Sequence, residues 1–294
     1  MIKGIYPPLA TPFDDDGEIS FKGLKSNIER YNNINLSGYV LFGSNGESVY
    51  LTREEKLSLI TEAREHISEN KLLIAGTGSE SIKETIYLSN EAAKLGADFA
   101  LIITPFFFQK AMNHEALINY FTVVADNSNI PIIIYNVTKF TNVNIESDTV
   151  AQLAEHKNIS GLKNSTENVE QILETIKKVP KDFSVLAGTG SVLLPALKEG
   201  CSGGVLALAN IAAQQCVNIF DLFTSGKIEE TELLQEKIIP VNKAITSEFG
   251  VPGLKKALDI LGYYGGKPRI PLQPLNENDT EKLKIVLINA ELLN

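Results

Sequence analysis

The sequence is poor in the residues on which disulfide frameworks and metal centres depend. It has no tryptophan, two cysteines, two methionines and three histidines among its 294 residues. Cys201 and Cys216 do not form a C-x-x-C pair, so neither a disulfide framework nor a zinc site is predicted. His66, His114 and His156 are far apart, and no His, Asp and Glu cluster is visible. We therefore expect neither a bound metal nor a cofactor.

Long apolar runs and an excess of positive charge are also missing. No run reaches the roughly 18 apolar residues of a membrane span, and the opening MIKGIYPPLATPF lacks the pattern of a signal peptide. The net charge of −9 disfavours non-specific binding to nucleic acid or anionic membranes. We expect a soluble cytoplasmic protein.

Short apolar segments alternate with segments of helical periodicity along most of the chain. Eight such pairs, with strands too apolar for a sheet with one wet face, predict an α/β fold of the (β/α)8 TIM-barrel type. The barrel is expected over residues 1–224, and a C-terminal helical domain over residues 225–294. The predicted strands are Gly4–Thr11, Gly38–Gly43, Leu72–Gly76, Phe99–Thr104, Ile130–Tyr135, Ile159–Lys163, Ser184–Gly188 and Gly203–Leu208.

Polar residues at the carboxyl ends of barrel strands are the candidates for catalysis. Lys163 is the only cation at the predicted strand ends, and Gly161, two residues earlier, should share its face of the strand. A glycine beneath a long side chain leaves room for the amine inside the barrel; the alternative is a lysine in solvent. A buried amine favours Schiff-base chemistry with a ketone.

Two further strand ends carry groups that suit this chemistry. Tyr135 closes an apolar strand next to that of Lys163, and its hydroxyl can relay protons, although a tyrosine packed on the core fits the same position. The loop Gly43–Glu47, GSNGE, offers backbone N–H groups that can hold a carboxylate, or it forms a plain glycine turn.

Three motifs in order along the chain resemble a known family. They are G-[ST]-x-G-E at Gly43–Glu47, a Y-N-x-P-like segment at Tyr135–Thr138, and G-x-K at Gly161–Lys163. Together they are similar to the class I pyruvate-dependent aldolases of the dihydrodipicolinate synthase/N-acetylneuraminate lyase family, and the resemblance covers essentially the whole chain.

The resemblance implies a role for each matching residue. Lys163 forms the Schiff base with pyruvate or another 2-oxo acid, and Tyr135 relays the proton. Ser44 and Asn45 hold the carboxylate of the 2-oxo acid, mainly through backbone N–H groups, and Ser44 is the third catalytic residue because its hydroxyl also lies near Tyr135. Family members are usually dimers of dimers, so a homo-oligomer is expected. The residues expected to bind substrate are Gly43, Asn45, Gly46, Gly188, Val205, Phe107 and Phe140.

The likeness is greatest to 4-hydroxy-2-oxoglutarate aldolases, through GSNGE, GGVLALAN and the block FGVPGLKKALDILGYYGGKPRIPLQ. Phe140 stands where dihydrodipicolinate synthases carry an arginine for the carboxylate of the aldehyde. Phe107 stands where they carry a relay tyrosine from a neighbouring subunit. We predict reversible cleavage of a 4-hydroxy-2-oxo acid to pyruvate and an aldehyde.

Several alternatives stay open on the sequence. Aldolases or dehydratases of 2-keto-3-deoxy sugar acids use the same Schiff base. Condensation of the dihydrodipicolinate synthase type and a non-catalytic 2-oxo acid sensor are the others.

Overall fold

A computed structural model describes residues 1–293, and Asn294, the last residue of the predicted helical domain, lies outside the described residues. Eight parallel strands form one sheet in the order β1-β8-β7-β6-β5-β4-β3-β2. The strands are β1 (Gly4–Tyr6), β2 (Gly38–Leu41), β3 (Leu72–Gly76), β4 (Phe99–Ile103), β5 (Ile132–Asn136), β6 (Ile159–Asn164), β7 (Ser184–Ala187) and β8 (Gly203–Val205).

The first and last strands of this order meet and close the barrel. Leu9 N–H donates to Val40 O at 2.9 Å, and Val40 N–H donates to Pro7 O at 3.0 Å. The first strand was expected to reach Thr11 but ends at Tyr6, because Pro7 and Pro8 have no N–H to continue a ladder. The predicted TIM barrel is confirmed.

Helices follow the strands and cover the outside of the barrel. Thr52 and Glu55 form the capping box expected from the sequence, which is why the second helix begins at Arg53. The barrel helices are α1 (Phe21–Asn32), α2 (Arg53–His66), α3 (Ile82–Lys94), α4 (His114–Asn127), α5 (Thr138–Thr141), α6 (Ser147–Ala154), α7 (Val169–Lys178), α8 (Leu193–Lys198) and α9 (Ala213–Thr224).

The C-terminal region is helical, as predicted. It contains α10 (Ile228–Lys243), a wider helical turn over Ala244–Glu248, α11 (Gly250–Ile260) and α12 (Glu277–Asn289). Helix α10 packs against α8 and α9, and α11 packs against α12. No helix within residues 1–293 combines the length and apolarity needed to cross a membrane.

The core has two layers, which explains why the strands are apolar on both faces. Val40, Ile133 and Leu186 belong to the layer inside the barrel. Tyr39, Ile132 and similar residues belong to the layer between the strands and the helices. Alternate residues of each strand therefore enter different layers, and both layers exclude water.

Strand β6 contains a bulge where it pairs with β5. Ile132 is the register partner of Ile159, whereas Ile133 is the partner of Gly161, so Ser160 is an extra residue. Such an insertion changes which face the following residues occupy. Every residue of β6 after Ser160 is placed by this bulge.

Candidate active site

Tyr135 and Lys163 lie side by side at the carboxyl ends of β5 and β6. Their Cα atoms are register partners, and Lys163 is also the partner of Leu186 on β7. Tyr135 and Leu186 both belong to the inner layer, so Lys163 faces the barrel interior as well. Its Nζ lies 4.0 Å from the centroid of the Tyr135 ring, and the residue is only 3% exposed. The amine is therefore enclosed by the barrel.

The bulge at Ser160 accounts for this orientation. Ile159 packs in the outer layer of the core, between strands and helices. Regular alternation from Ile159 would put Lys163 on that same outer face. The extra residue reverses the face, so that Gly161 and Lys163 point inward.

Gly161 is required by the neighbouring strand rather than by the lysine above it. A Cβ at this position would lie 2.5 Å from Ser184 O and 3.1 Å from Ser184 Cβ. Glycine thus permits the close approach of β6 and β7. The expected pairing of Gly161 and Lys163 on one face holds, but the space that glycine leaves is occupied by Ser184.

Ser44 brings a second hydroxyl to Tyr135. Ser44 Oγ lies 3.2 Å from Tyr135 Oη, and either atom can donate. A proton on the tyrosine therefore has a hydrogen-bonded neighbour to which it can pass. The three residues predicted as catalytic are brought together, with Tyr135 between Ser44 and Lys163.

Residues 43–47, here called the GSNGE turn, form a tight helical turn after β2. Gly46 N–H donates to Gly43 O at 2.9 Å, and Glu47 N–H donates to Ser44 O at 3.2 Å. The N–H groups of Ser44 and Asn45 stand at the start of the turn and are not used by it. Glu47 has φ 54°, in the left-handed region that non-glycine residues seldom occupy. Such a conformation is maintained only when its surroundings impose it.

A hydrogen-bond network fixes the strand ends that carry the tyrosine and the lysine. Asn136 Nδ2 donates to Asn164 Oδ1 at 3.2 Å and to Asn144 Oδ1 at 2.9 Å. Asn136 and Asn164 directly follow Tyr135 and Lys163 and are register partners. The two asparagines hold the strands in register on the outer face while the functional side chains face inward.

A small cavity adjoins the two hydroxyl groups. It is about 30 Å³ in volume, which is room for a water molecule. Polar atoms of Tyr135, Ser44 and Ser48 give such a water hydrogen-bond partners. The cavity is lined by Phe42, Ser44, Ser48, Gly76, Gly78, Leu101, Ile103 and Tyr135.

Gly188 and Val205 occupy the neighbouring strand ends. Gly188 N–H donates to Asn164 O at 2.7 Å, and a Cβ on Gly188 would come within 2.1 Å of Ser165 Oγ. Val205 is buried in the inner layer at the end of β8. Both residues lie at the ends of strands that follow β6 in the barrel, and their role in binding substrate stays a prediction.

Phe107 and Phe140 are exposed on the single chain. Phe107 is 74% and Phe140 58% exposed. Phe107 packs edge to face on Phe108, with ring centroids 5.1 Å apart, and Phe140 lies beneath Lys139. Neither is in contact with the Lys163–Tyr135–Ser44 group in the contacts of residues 1–293, so their predicted roles depend on substrate or on a partner subunit.

Sequence reasoning missed the side chains that anchor the catalytic loops to the C-terminal helices. Asn242 of α10 accepts from Gly190 N–H at 3.2 Å and donates to Thr189 and Ser191 hydroxyls at 3.0 and 2.8 Å. Lys255 of α11 forms a buried ion pair with the GSNGE turn, at 2.6 Å. These residues lie far from the turns along the chain, and no local sequence pattern joins them.

The prediction that no His, Asp and Glu cluster exists also needs a correction. Glu62, Glu65 and His66 place donor atoms within 4.8 Å of one another on the last turns of α2. Their spacing follows one face of a helix, which a search for separated ligands overlooks. This end of α2 precedes β3, so the group lies at the amino-terminal end of the barrel, away from Lys163.

Comparison with known proteins gives consistent results over the whole chain. A model described as the dihydrodipicolinate synthetase family matches residues 1–290. A protein of Methanoculleus marisnigri named 4-hydroxy-tetrahydrodipicolinate synthase is 36% identical, covering 98% of this chain and 99% of its own. The protein of that name from Archaeoglobus fulgidus is 33% identical, with 100% of both chains covered.

One of the similar solved structures contains bound pyruvate. It is a prophage protein of the dihydrodipicolinic acid synthase family from E. coli K12, in complex with pyruvate. It is 27% identical to this chain, has a TM-score of 0.94, and the alignment covers 99% of each chain.

Proposed function

We propose that this chain, which belongs to the dihydrodipicolinate synthetase family and is a carbon–carbon lyase, forms a Schiff base between Lys163 and pyruvate. The observation that carries the proposal is the enclosed amine of Lys163, 4.0 Å from the ring of a tyrosine that is itself hydrogen-bonded to Ser44. Because the chain belongs to a family of enzymes, the alternative of a non-catalytic 2-oxo acid sensor is not retained. The pyruvate bound to the E. coli relative supports pyruvate as the 2-oxo acid.

The proposed chemistry begins with attack of Lys163 Nζ on the ketone carbon of pyruvate. The carbinolamine loses water, with Tyr135 Oη as the proton donor to the departing hydroxyl, and an iminium forms. Loss of a proton from the methyl carbon gives an enamine, whose carbon adds to an aldehyde. Hydrolysis then releases the product and the free amine, and the reverse sequence cleaves the same bond.

The GSNGE turn is proposed to orient the 2-oxo acid. The N–H groups of Ser44 and Asn45 are the free donors of this turn, and they suit a carboxylate. Gly43 and Gly46 allow the backbone to approach closely, since neither has a side chain. Fixing the carboxylate holds the ketone beside Lys163 and reduces the entropy lost at the chemical step.

For the aldehyde partner, we first propose condensation to 4-hydroxy-tetrahydrodipicolinate. Its support is that the two relatives aligned over the full length both carry the name of that synthase. Cleavage of a 4-hydroxy-2-oxo acid, such as 4-hydroxy-2-oxoglutarate, is the second candidate. Phe140 offers an apolar ring where the synthase resemblance implies an arginine, so it counts against the synthase and favours cleavage that releases a less charged aldehyde.

Trapping and product analysis together test the proposal. Borohydride reduction with pyruvate, followed by peptide mass spectrometry, should give a stable adduct on Lys163. An adduct on another residue, or none, would contradict the Schiff base. The folded enzyme is then given pyruvate with aspartate semialdehyde, glyoxylate or a sugar aldehyde in separate reactions. Turnover with the semialdehyde supports the first candidate, and turnover with glyoxylate alone supports the second.

We also propose a homo-oligomer arranged as a dimer of dimers. The exposed aromatic pair Phe107 and Phe108, beside the mouth of the barrel, provides apolar surface for a subunit contact. Light scattering at several protein concentrations measures the assembly, and a monomer at all concentrations would overturn this proposal.

A further inference from the structure

The GSNGE turn ends in a carboxylate that points away from the site and into the protein. Glu47 is buried, and Lys255 Nζ lies 2.6 Å from its Oε1. Its Oε2 accepts the backbone N–H of Arg269 at 2.8 Å. Oε1 therefore makes an ion-pair contact with α11 without a hydrogen bond of good geometry, and Oε2 is hydrogen-bonded to the loop that follows this helix.

Lys255 is held as firmly as Glu47. It is 1% exposed, its Nζ donates to Lys267 O at 2.8 Å, and it lies 4.3 Å from the centroid of the Phe13 ring. Burial lowers the pKa of Lys255, while the charge of Glu47 acts in the opposite direction. A buried charge without its partner is strongly unfavourable, so the positions of the two side chains are coupled.

The short distance along the chain from Glu47 to the substrate donors makes this coupling relevant to the site. Glu47 N–H donates to Ser44 O, so one turn of backbone joins the buried carboxylate to the serine that contacts Tyr135. The left-handed conformation of Glu47 at φ 54° is maintained by these tertiary contacts. A second anchor, Thr11 Oγ1, donates to Gly46 O at 2.6 Å.

We propose that the Glu47–Lys255 ion pair positions the GSNGE turn for binding the substrate carboxylate, and so sets the affinity of the enzyme for its 2-oxo acid. Glu47 and Lys255 touch neither substrate nor reacting atoms; they act through Ser44 and Asn45. This inference rests on the proposed function, since it concerns the same pyruvate site.

Separate measurement of KM for pyruvate and of kcat in each variant tests the role of the ion pair. In Lys255→Met, Glu47 keeps its charge without a partner, and the pyruvate KM is expected to rise about ten- to a hundredfold, because a small displacement of binding groups has effects of that size. The value of kcat is expected to fall by a smaller factor than KM rises, since Lys163 and Tyr135 stay in place and only the contact of Ser44 with Tyr135 is displaced. The double variant Glu47→Gln/Lys255→Met removes both charges and should bind pyruvate better than Lys255→Met alone.

Further variants separate positioning from loss of stability. Thr11→Val removes the uncharged anchor of the same turn and should also raise the pyruvate KM, even if the charge variants fold poorly. Lys71→Met is the matched control, because Lys71 is also a buried lysine but donates to Ile34 O and Leu36 O, away from residues 43–47 and from Arg269. Its melting temperature should fall while its pyruvate KM stays unchanged.

The outcomes distinguish this inference from the proposed function. If the wild type gives no borohydride adduct on Lys163, the proposed function fails. If the wild type is trapped, but folded Lys255→Met and Thr11→Val show the pyruvate KM of the wild type, the positioning role is overturned and the Schiff base stands. A Lys71→Met variant with the same rise in KM would also overturn it, because the effect would then follow stability alone.

Discussion

Lys163 Nζ lies 4.0 Å from the centroid of the Tyr135 ring, and the two residues are direct partners across neighbouring parallel strands. The face of an aromatic ring stabilises a cation and also packs against a neutral amine. The hydroxyl of the same ring extends to Ser44. One tyrosine thus contacts both the predicted nucleophile and the next group of the predicted proton relay.

Replacing Lys163 by methionine should abolish the pyruvate adduct and the activity without unfolding the protein. Methionine has a similar length but no amine, and its flexible apolar side chain packs well inside a barrel. Borohydride trapping and thermal melting measure the two effects. The control is Lys71→Met, since Lys71 is also buried but donates to Ile34 O and Leu36 O away from the site. That variant should lose stability and keep the adduct; the reverse pattern would contradict the assignment of Lys163.

Tyr135→Phe should lower kcat by about 10²–10⁴-fold, the usual contribution of a positioned acid or base. The ring remains for packing, so the protein should fold normally and still form an adduct, though slowly. Steady-state kinetics measure the loss. Tyr39→Phe is the matched control, because the Tyr39 hydroxyl bonds to Asn32 Oδ1 at 2.9 Å in the outer core. Equal activity of Tyr135→Phe and the wild type would remove Tyr135 from the relay.

Introducing arginine at Phe140 tests which aldehyde the enzyme accepts. The side chain of Phe140 is exposed, so arginine fits without disturbing the core. If this position faces the aldehyde, Phe140→Arg should raise kcat/KM for carboxylate-bearing aldehydes relative to uncharged ones by about tenfold, the usual size of one charge-assisted hydrogen bond. Ile285→Arg, on the equally exposed surface of α12, is a control that should leave the ratio unchanged. An unchanged ratio in both variants would place residue 140 outside the aldehyde subsite.

The barrel was predictable because it depends on repetition, whereas the arrangement at its catalytic end depends on contacts between distant residues. Eight apolar segments and the capping box of Thr52 and Glu55 are local signals, and most of the strand and helix bounds predicted from them lie close to the observed ones. The expected strand to Leu208 instead ends at Val205, where the chain turns tightly over Ala207–Asn210. The short helix at Thr138–Thr141 also had no signal, since four residues show no periodicity.

Some residues of the candidate site were likewise predictable from local motifs, and others were not. Lys163, Tyr135 and Ser44 each stand in a short local motif, and parallel strand order brings their neighbouring ends together. Glu47, Lys255 and Asn242 meet only in three dimensions, and a single sequence does not contain that information. The names of the relatives support the family, while the expected specificity for 4-hydroxy-2-oxoglutarate stays a prediction.

The ion pair of Glu55 and Arg269 should make stability depend on pH in the acid range. Arg269 donates to both Glu55 oxygens, at 2.5 and 2.9 Å, and this lowers the pKa of Glu55. A carboxyl with a lowered folded pKa contributes stability above the ordinary carboxyl pKa of about 4, and that stability is lost as pH falls through the lowered value.

Glu55→Gln should therefore be less stable than the wild type at pH 7 by about 1 kcal/mol. Gln still accepts the capping hydrogen bond of Thr52, so the helix should begin normally. The difference should shrink as the pH is lowered below about 4. Denaturant unfolding at pH 7, 5 and 3 measures the free energies, and a difference independent of pH would show that the carboxylate charge contributes nothing.

The two cysteines should be unreactive in the folded protein. Burial raises the pKa of Cys201 to about 12 and raises that of Cys216 as well, so little thiolate is present at pH 8. Iodoacetamide should label neither residue in native buffer and both in guanidinium chloride. Rapid labelling of the native enzyme would mean that the outer core opens more readily than the packing of these side chains indicates.

The bulge at Ser160 has a consequence for insertions and deletions in this strand. A chain that lost Ser160 would keep the tripeptide Gly161-Leu162-Lys163 unaltered, and any comparison of motifs would score it as intact. Its lysine would nevertheless turn through half a strand repeat, out of the barrel and towards the helices. The tripeptide alone therefore does not determine whether its lysine enters the barrel. Ser160, which precedes it, sets the face of the strand on which the amine lies.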